Sequence, residues 1–348
     1  MIRVAICGGS GYTGGELLRL LLNHPEVTVT AVTSEKSAGK YVSDLFPYLY
    51  RHSNLTYEQL KVGDILDKAD LFFMALPHGR SQEAVDFLFK HGKKVIDLSA
   101  DYRLRDTKIY EEWYKVPHKF QTTLKKAVYG LPELYRKKIA EANLIANPGC
   151  YPTGAILGLY PAIKNEFIDV SSIVIDSKSG TSGAGRKSDI TFSYCEVNEG
   201  FKAYAVASHR HTPEIEQELS AIAGKDIKIN FTPHLAPLDR GILTTIYARL
   251  RLAKNISMEK IIEVYKKSYS KEPFVQVLDE GRSPNVKNVR GTNMCEVGLT
   301  VNMRTNTLII VTAIDNLMKG GSGQAIHNMN IMMGFDEKTA LDTIAMFP

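Results

Sequence analysis

The chain has 348 residues, of which 44% are hydrophobic, so it can bury a large core and, on the usual length prior, form two domains. Its 43 Lys and Arg residues and 38 Asp and Glu residues give a net charge of +5, and these charges are interspersed along the chain. This balance favours small anionic ligands and argues against nucleic acid as a partner.

The lengths of the apolar runs and the spacing of the cysteines narrow the class of protein further. No run approaches the roughly 18 to 20 residues of a membrane helix, and the first predicted strand begins at Ile2, which leaves no room for a signal peptide. The cysteines Cys7, Cys150, Cys195 and Cys295 lie far apart without a CxxC pair, so we expect a reducing compartment, no disulfide scaffold and no metal site. The sequence predicts a cytoplasmic protein with no membrane partner.

The chain starts with a predicted strand from Ile2 to Cys7, a glycine-rich turn, a helix from Glu16 to Leu22 and a strand from Val27 to Val32. The turn matches G-x-G-x-x-G in the strand and helix setting that dinucleotide binding requires. Its glycines allow a tight turn and close approach of the backbone to a pyrophosphate, which the helix N–H groups face. The cofactor-binding candidates of this turn are Gly9, Ser10, Gly11, Tyr12, Thr13 and Gly14.

The loop after the second strand carries hydroxyls and two lysines where NAD enzymes often place a single acidic residue on the ribose. Ser34, Ser37 and the lysines would suit a 2′-phosphate, which favours NADP(H) as the cofactor. Glu35 mildly favours NAD instead. The alternative to a cofactor-binding role is that this segment is an ordinary polar loop.

The parallel-sheet pattern continues with a strand from Leu71 to Leu76, a helix from Gln82 to Lys90 and a strand from Lys94 to Leu98. Pro77 and His78 follow the first of these strands, at the carboxyl edge where doubly wound sheets bind ligands. We therefore count both as cofactor-binding candidates, although a turn-forming proline beside a surface histidine is equally plausible.

A second domain is predicted from about residue 150. The alternation of apolar segments predicts its strands at Ile173–Ile175, Ile227–Phe231, Leu243–Leu250 and Leu308–Ala313, and its helices at Glu214–Ala223 and Met258–Tyr269. A final helix follows Asn316 and runs towards Met333, and we expect it to return to the first domain. The expected domains are residues 1–149 with 316–348, and residues 150–315.

Cys150 is the strongest indication of chemistry. It lies between an apolar strand-like run, Leu144 to Ala146, and an apolar stretch of helical period, Ala155 to Ile163. The partial positive charge of a helix N-terminus favours a thiolate, which would make Cys150 a nucleophile, while a buried structural cysteine is the alternative. A thiolate beside a nicotinamide cofactor predicts attack on an acyl group, followed by hydride transfer to the thioester.

Such chemistry needs an acid/base, and the segment from Ser208 to Glu214 contains two histidines. Alternate residues of an extended segment face the same way, so His209 and His211 could line one cleft. We assign proton transfer to His209, because histidine titrates near neutral pH, and substrate contact to His211. A pair of surface histidines is the alternative reading.

Several dispersed motifs resemble the N-acetyl-gamma-glutamyl-phosphate reductase family over nearly the whole chain. They comprise the glycine turn, Leu98–Arg103, Tyr129–Glu133, the Cys150 segment, His209–His211, Pro233–Pro237 with Arg240–Gly241, and Asn316–Gln324. The resemblance implies an α/β fold like that of glyceraldehyde-phosphate dehydrogenase, with a Rossmann-like NADP-binding domain and an α+β catalytic domain that has a mixed sheet and mediates homo-oligomerisation as a dimer or tetramer. The sequence departs from the family pattern at Gly321, Ser322 and His327. The resemblance therefore does not predict how the residues around these positions pack.

The resemblance also implies a function. It predicts NADPH-dependent conversion of N-acetyl-gamma-glutamyl phosphate to N-acetylglutamate semialdehyde and phosphate in arginine biosynthesis, with Cys150 as nucleophile and His209 as base. For substrate binding we add Arg103, whose guanidinium can hold phosphate oxygens bidentately, together with Ser182 and Arg240. The alternatives are a surface salt bridge for Arg103 and a mobile turn for the glycine-rich loop that contains Ser182. Gly183 and Asn316 join the cofactor candidates, although Asn316 could instead cap a helix.

Two alternatives stay open at this stage. One is the reduction of a related acyl phosphate, either aspartyl phosphate or a carrier-bound aminoadipyl or glutamyl phosphate. The other is a cofactor-binding regulatory protein with an inactive site, although Cys150 and His209 together argue against it.

Overall fold

The computed structural model describes residues 1–186, 189–251 and 257–347. The chain divides into two compact units: Met1–Pro148 with Gly321–Thr343, and Gly149–Gly320 with Ile344–Pro348. The predicted boundary before residue 316 therefore falls later, after Gly320, and the C-terminal residues from Ile344 belong to the second unit.

The first unit alternates strands and helices. Its strands in the first 148 residues are β1 (Ile2–Cys7), β2 (Val27–Thr33), β3 (Tyr57–Glu58), β4 (Leu71–Met74), β5 (Lys94–Asp97), β6 (Val128–Tyr129) and β7 (Leu144–Ala146). The helices of the same stretch are α1 (Tyr12–Leu21), α2 (Val42–Leu45), α3 (Val62–Ile65), α4 (Gln82–Lys90), α5 (Thr107–Tyr114), α6 (Gln121–Leu124) and α7 (Pro132–Glu141).

These strands form one parallel sheet in the order β3-β2-β1-β4-β5-β7-β6. The central strands are buried on both faces, which explains why β4 is apolar at every position. The connections change direction between β1 and β4, where doubly wound sheets bind ligands outside the carboxyl ends of the strands.

The second unit starts with the helix that carries Cys150. Its strands are β8 (Val174–Ser179), β9 (Lys202–Ala203), β10 (Asn230–Leu235), β11 (Ile242–Arg249), β12 (Val275–Val277), β13 (Cys295–Asn302) and β14 (Thr307–Ile314). Its helices over the described residues are α8 (Cys150–Lys164), α9 (Tyr194–Val197), α10 (Thr212–Ala223), α11 (Met258–Ser268) and α12 (Val286–Val289).

The sheet of this unit is mixed, in the order β12-β13-β14-β11-β8-β10-β9. Strand β8 pairs parallel with β10 and antiparallel with β11. Buried and more exposed residues alternate along β11, as expected for a sheet that packs on one face. A parallel sheet in one unit and a mixed sheet in the other confirm the predicted fold class.

The last helix, α13 (Gly323–Met333), belongs to the first unit and packs on α1 and α7. Asn328 Nδ2 donates to the carbonyl oxygen of Gly130 at 2.9 Å, and Ser322 Oγ donates to the carbonyl oxygen of Thr13 at 2.9 Å. These bonds tie the helix to the loop after β6 and to the glycine turn. The first unit is therefore built from both ends of the chain.

Candidate active site

Cys150 is the first residue of α8, and Gly149 is the N-cap, with extended backbone angles. Pro152 occupies the first turn, where a missing N–H costs no hydrogen bond. The side chain of Cys150 is half-buried. The sulfur therefore lies at the positive end of a 15-residue helix, which stabilises its thiolate.

A cluster of aromatic rings surrounds the histidines. The rings of His209 and His211 lie 4.8 Å apart, and Tyr151 meets both edge-on, at 5.3 Å and 5.8 Å between centroids. Phe231 packs against His209 at 5.4 Å. The Oη atoms of Tyr151 and Tyr204 are 2.8 Å apart. One polar, aromatic-walled cluster thus includes the neighbour of Cys150 and both predicted histidines.

The prediction assumed that the histidine segment is extended, but in the structure it is not. Residues 205–211 form turns and bends, in which Ala205 and Ala207 have positive φ angles of 45° and 54°. His211 is the N-cap of α10. The two rings meet because the chain folds back immediately before the helix, and not because alternate residues share one face of a strand.

His209 has a defined tautomer. The backbone N–H of His211 donates to His209 Nδ1 at 3.1 Å, so Nδ1 carries a lone pair and a neutral ring holds its proton on Nε2. Nε2 lies 3.5 Å from the Oη atom of Tyr204. Burial, and secondarily the charge of Arg210, lower the pKa of His209 to about 4. At neutral pH a ring with this pKa is uncharged and offers an N–H, so the predicted proton transfer by His209 stays a prediction.

Tyr204 contacts both His209 and Tyr151, the residue after Cys150. Burial raises the pKa of Tyr204 to about 12, and the negative charge of Cys150 adds to the shift. The phenol is therefore protonated at neutral pH and close enough to Cys150 to respond to its charge. Its hydroxyl lies between the hydroxyl of Tyr151 and the imidazole of His209.

Ser182, Arg240 and Asn316 come together at the end of β8. Asn316 Nδ2 donates to Ser182 Oγ at 2.9 Å, and Asn316 Oδ1 accepts from the Gly241 N–H at 2.8 Å. The Arg240 Nη1 atom lies 3.5 Å from the Oδ2 atom of Asp315, which is fully buried. The amide of Asn316 thus holds two loops of its own unit together, and it does not cap α13.

Arg103 has a different environment from the predicted one. It is 6% exposed, and its Nε and Nη2 atoms donate to the carbonyl oxygens of Asn147 and Leu98 at 2.7 Å and 2.9 Å. These bonds connect the loop after β5 to the residues that precede Gly149. The geometry favours a structural role for this guanidinium.

The glycine turn has the packing that dinucleotide binding requires. A Cβ at Gly14 would lie 2.5 Å from the Cα of Gly9, and one at Gly9 would lie 2.2 Å from Val32 Cγ1. A Cβ at Gly11 would meet no atom within 4 Å. Two glycines thus allow strand and helix to pack closely, and the middle one leaves open space where a pyrophosphate could approach.

The other cofactor candidates of the first unit lie at the carboxyl ends of its strands. Ser34 Oγ donates to Ser10 Oγ at 2.8 Å, which joins the loop after β2 to the glycine turn. Ser34 and Ser37 are buried at 5% and 8% exposure. After β4, Pro77 and His78 are exposed, and His78 Nδ1 accepts the N–H of Ala100 at 3.0 Å.

Two structural findings bear on other ligands and on membranes. Across residues 1–186, 189–251 and 257–347, no group of three or more His, Cys, Asp or Glu side chains could hold a metal ion. In the same part of the chain, no helix combines the length and apolar character needed to cross a bilayer.

Sequence reasoning gave no role to Tyr151, Tyr204, Glu214, Asp315 or Gly320. Glu214 carried no signal, because its helical neighbours at i+3 and i+4, Gln217 and Glu218, are polar. Tyr204 and Gly320 carried none, since their roles depend on how distant segments meet.

Comparison with known proteins defines the class. Residues 3–142 match the family model "Semialdehyde dehydrogenase, NAD binding domain", and residues 150–316 match "Semialdehyde dehydrogenase, dimerisation domain". Aspartate semialdehyde dehydrogenase II from Vibrio cholerae superposes with a TM-score of 0.74 and 17% identity, over 96% of this chain and 99% of that one. The NADP-bound aspartate semialdehyde dehydrogenase from Candida albicans gives a TM-score of 0.73 and 16% identity, over 96% and 98%. The chain has the semialdehyde dehydrogenase fold.

Sequence relatives specify the family. The N-acetyl-gamma-glutamyl-phosphate reductase of Geotalea daltonii is 56% identical over 100% of both chains. The enzyme of the same name from Pelotomaculum thermopropionicum is 52% identical, over 100% of this chain and 99% of its own. The chain belongs to the N-acetyl-gamma-glutamyl-phosphate reductase family, which confirms the resemblance found in its motifs.

Proposed function

We propose that this protein reduces N-acetyl-gamma-glutamyl phosphate to N-acetylglutamate 5-semialdehyde and phosphate with NADPH, as a step of arginine biosynthesis, through a thioester on Cys150. The observation that carries the proposal is the position of Cys150 at the start of α8 in a chain more than 50% identical over its full length to reductases of that name. The activity is that of an oxidoreductase.

Cys150 begins the reaction as a thiolate. The sulfur attacks the acyl carbon of the substrate, the C–O bond to phosphate breaks, and phosphate leaves with the electron pair. A hydride added to the thioester carbon gives a thiohemiacetal anion, which releases the aldehyde and restores the thiolate. The leaving phosphate takes up one proton from solvent to become HPO₄²⁻, so the reaction consumes one proton overall, whereas the hydride step needs none. The protein must also stabilise the two tetrahedral oxyanions.

We assign these oxyanions to hydrogen-bond donors of the second unit. Backbone N–H groups at the start of α8 point out of the helix, as at every helix N-terminus. The Nε2–H of neutral His209 is a second donor, and the Tyr204 hydroxyl lies 3.5 Å from it. We therefore assign His209 to the carbonyl oxygen, as a hydrogen-bond donor. His211 is left for substrate contact.

The leaving phosphate is assigned to Ser182 and Arg240. Their loops are joined by hydrogen bonds, including Ser182 N–H to the carbonyl oxygen of Asp239 at 3.1 Å. A guanidinium and a hydroxyl on rigid loops suit a phosphate dianion. We prefer Arg240 to Arg103, because two nitrogen atoms of Arg103 already bond to main-chain carbonyl oxygens.

NADPH fits the first unit. The open space at Gly11 suits its pyrophosphate, and the loop with Ser34, Ser37 and the exposed Lys36 and Lys40 suits its 2′-phosphate. When bound, this cofactor supplies the hydride that reduces the thioester. Gly183 and Asn316 are the candidates in the second unit for contact with the nicotinamide.

We further propose that the protein forms a homo-oligomer. The second unit matches a model described as a dimerisation domain. In its segment around α9 and β9, four large apolar side chains are more than half exposed. They are Ile190, Tyr194, Phe201 and Val206. We assign this exposed apolar surface to the contact between subunits.

Substrate kinetics test the proposed function. In the reverse direction, NADP⁺ reduction should require phosphate together with N-acetylglutamate 5-semialdehyde, and aspartate semialdehyde should not replace it. Cys150→Ala should abolish turnover while NADPH still binds. Equal rates with both aldehydes would refute the substrate assignment, and turnover that survives in Cys150→Ala would refute the thioester route.

A further inference from the structure

A buried carboxylate lies beside the start of the Cys150 helix. Glu214 is 1% exposed, and its Oε1 atom accepts the backbone N–H of Gly149 at 2.7 Å. Gly149 is the N-cap residue, immediately before Cys150. The Glu214 carboxylate therefore bonds to the peptide unit that precedes the nucleophile.

The same contact joins the two parts of the site. Glu214 is in the first turn of α10, which His211 caps, and His209 lies two residues before that cap. A bond from Glu214 to Gly149 thus sets the distance between the start of α10, with its histidines, and the start of α8, with its cysteine. A charge-assisted hydrogen bond in a buried site can hold such a distance.

The carboxylate also affects the sulfur electrostatically. Because consecutive Cα atoms are about 3.8 Å apart, an anion 2.7 Å from the backbone nitrogen of Gly149 lies within roughly 10 Å of the Cys150 sulfur. A negative charge at that distance opposes the effect of the helix N-terminus and disfavours the thiolate. The nucleophilicity of a thiolate falls as its pKa falls, and the best attacking thiol has a pKa near ambient pH.

We propose that Glu214 is a positioning residue that fixes the Cys150 turn against the start of α10 and limits how far the helix N-terminus acidifies the thiol. The sulfur then remains a strong nucleophile at working pH. The inference rests on the proposed function for its kinetic consequence, and on the fold alone for its effect on the thiol.

Other groups near the thiol act in the same experiment and are unchanged by substitution of Glu214. In the described part of the second unit they include the phenols of Tyr151 on α8 and Tyr204 after β9, both of which respond to the charge of Cys150, and the neutral ring of His209. They also include the buried Lys319, which precedes the Gly320 that packs against Cys150. A change in thiol reactivity on substitution of Glu214 therefore reports on that carboxylate.

The test compares Glu214→Gln, Glu214→Leu and a matched control, Glu218→Gln. Gln keeps an acceptor for the Gly149 N–H without the charge, and Leu removes both. Glu218 is fully buried one turn further along α10, where Gln217 Nε2 donates to it at 2.8 Å. Alkylation of full-length protein by iodoacetamide is followed against pH on the Cys150 peptide by mass spectrometry, because Cys195 is exposed and also reacts.

Glu214→Gln should lower the pH midpoint of alkylation by on the order of one unit, with kcat within about fivefold of the wild type. Glu214→Leu should lower kcat by about 10²-fold at unchanged NADPH affinity. Glu218→Gln should leave the midpoint unchanged. A midpoint unaffected in Glu214→Gln, or lowered equally in Glu218→Gln, would overturn the electrostatic role, and wild-type kcat in Glu214→Leu would overturn the positioning role.

If Glu214→Leu fails to fold, the pH midpoint of Cys150 alkylation in Glu214→Gln decides whether the proposed role of Glu214 holds. Alkylation uses neither substrate nor cofactor, so failure of the proposed function and failure of this inference are distinguishable. A protein that does not reduce the acyl phosphate can still show the shifted midpoint, and an active reductase can lack it.

Discussion

Gly320 lies directly against Cys150. A Cβ atom at Gly320 would be 2.8 Å from the Cβ of Cys150 and 3.2 Å from its Cα, distances that real Cβ atoms do not tolerate without displacement. The N–H of Gly320 bonds to the carbonyl oxygen of Asp315 at 3.0 Å, so this segment has little freedom to retreat. The nucleophile is held between its own helix and a glycine that has no side chain.

Gly320→Ala should therefore displace Cys150 and lower kcat by about 10²-fold, since small misplacements of reacting groups have effects of this size. The measurement is steady-state kinetics with N-acetylglutamate 5-semialdehyde, phosphate and NADP⁺. The control is Gly63→Ala, because a Cβ there meets no atom within 4 Å. Equal activity of the two variants would show that the contact does not constrain the nucleophile.

Gly11→Ala and Gly14→Ala should separate cofactor binding from stability. A methyl group at Gly11 meets no protein atom but enters the space assigned to the pyrophosphate, so NADPH affinity should fall at least tenfold at unchanged melting temperature. At Gly14 it meets the backbone of Gly9 at 2.5 Å, so the melting temperature should fall. Thermal melting measures the stability of each variant, and NADPH fluorescence titration measures its cofactor affinity. Normal NADPH affinity in Gly11→Ala would contradict the proposed pyrophosphate site.

Lys36→Ala and Lys40→Ala should reduce affinity for NADPH and leave affinity for NADH nearly unchanged. Both lysines are exposed beside Ser37, so neither change should affect folding. We expect a loss of about fivefold to tenfold for each lysine at low salt, and less at high salt because exposed charges are screened. Titration with both cofactors at two ionic strengths measures this, and equal losses for NADH would argue against a 2′-phosphate contact.

The two histidine roles make opposite predictions for one substitution. Gln can present an N–H where His209 presents Nε2–H, but it cannot act as a base. If His209 is a donor, His209→Gln should stay within about tenfold of the wild type in kcat, while His209→Ala loses about 10²-fold to 10³-fold. Comparable losses of 10²-fold or more in both variants would restore the role of general base.

The C-terminal region contains a charge cluster whose contribution should depend on pH. Glu337 accepts from His327 Nε2 at 2.6 Å and from Arg136 Nε at 2.8 Å. Burial alone raises the pKa of Glu337, but these two partners outweigh it and bring the pKa to about 2, below the value of about 4.3 in an unfolded chain. The stabilisation is thus complete above about pH 5 and is lost as the pH falls towards 2.

Glu337→Gln should lower the free energy of unfolding by about 2 kcal/mol at pH 7. The deficit should shrink by more than half at pH 3, where the wild-type carboxylate also loses most of its advantage. Urea unfolding at several pH values measures the difference. His327→Gln, which keeps a side-chain N–H, is the milder comparison, and a pH-independent deficit would contradict the assignment.

The sequence predicted most of the fold because burial patterns are local. Strand β7 and helix α4 match their predicted bounds, and β1 does as well. The short strands β3, β6 and β9 were missed, because two residues carry no periodic pattern. Strand β13 was also missed, since it begins with five buried residues in succession and lacks the alternation of β11.

The site was harder to predict than the fold. Cys150 was found because a glycine and a proline precede it at a strand-to-helix junction. The pairing of Glu214 with Gly149 and of Tyr204 with Tyr151 joins residues 65 and 53 positions apart, so no local pattern contains it. The pKa of His209 likewise depends on burial by Phe231 and Tyr151, which the histidine motif does not reveal.

The most direct test of the thioester route is intact-protein and peptide mass spectrometry after N-acetyl-gamma-glutamyl phosphate is mixed with the protein without NADPH. The account predicts one added N-acetylglutamyl group on the Cys150 peptide, which NADPH then removes as N-acetylglutamate 5-semialdehyde. Phosphate release without any adduct on Cys150, or an adduct that NADPH does not reduce, would contradict it.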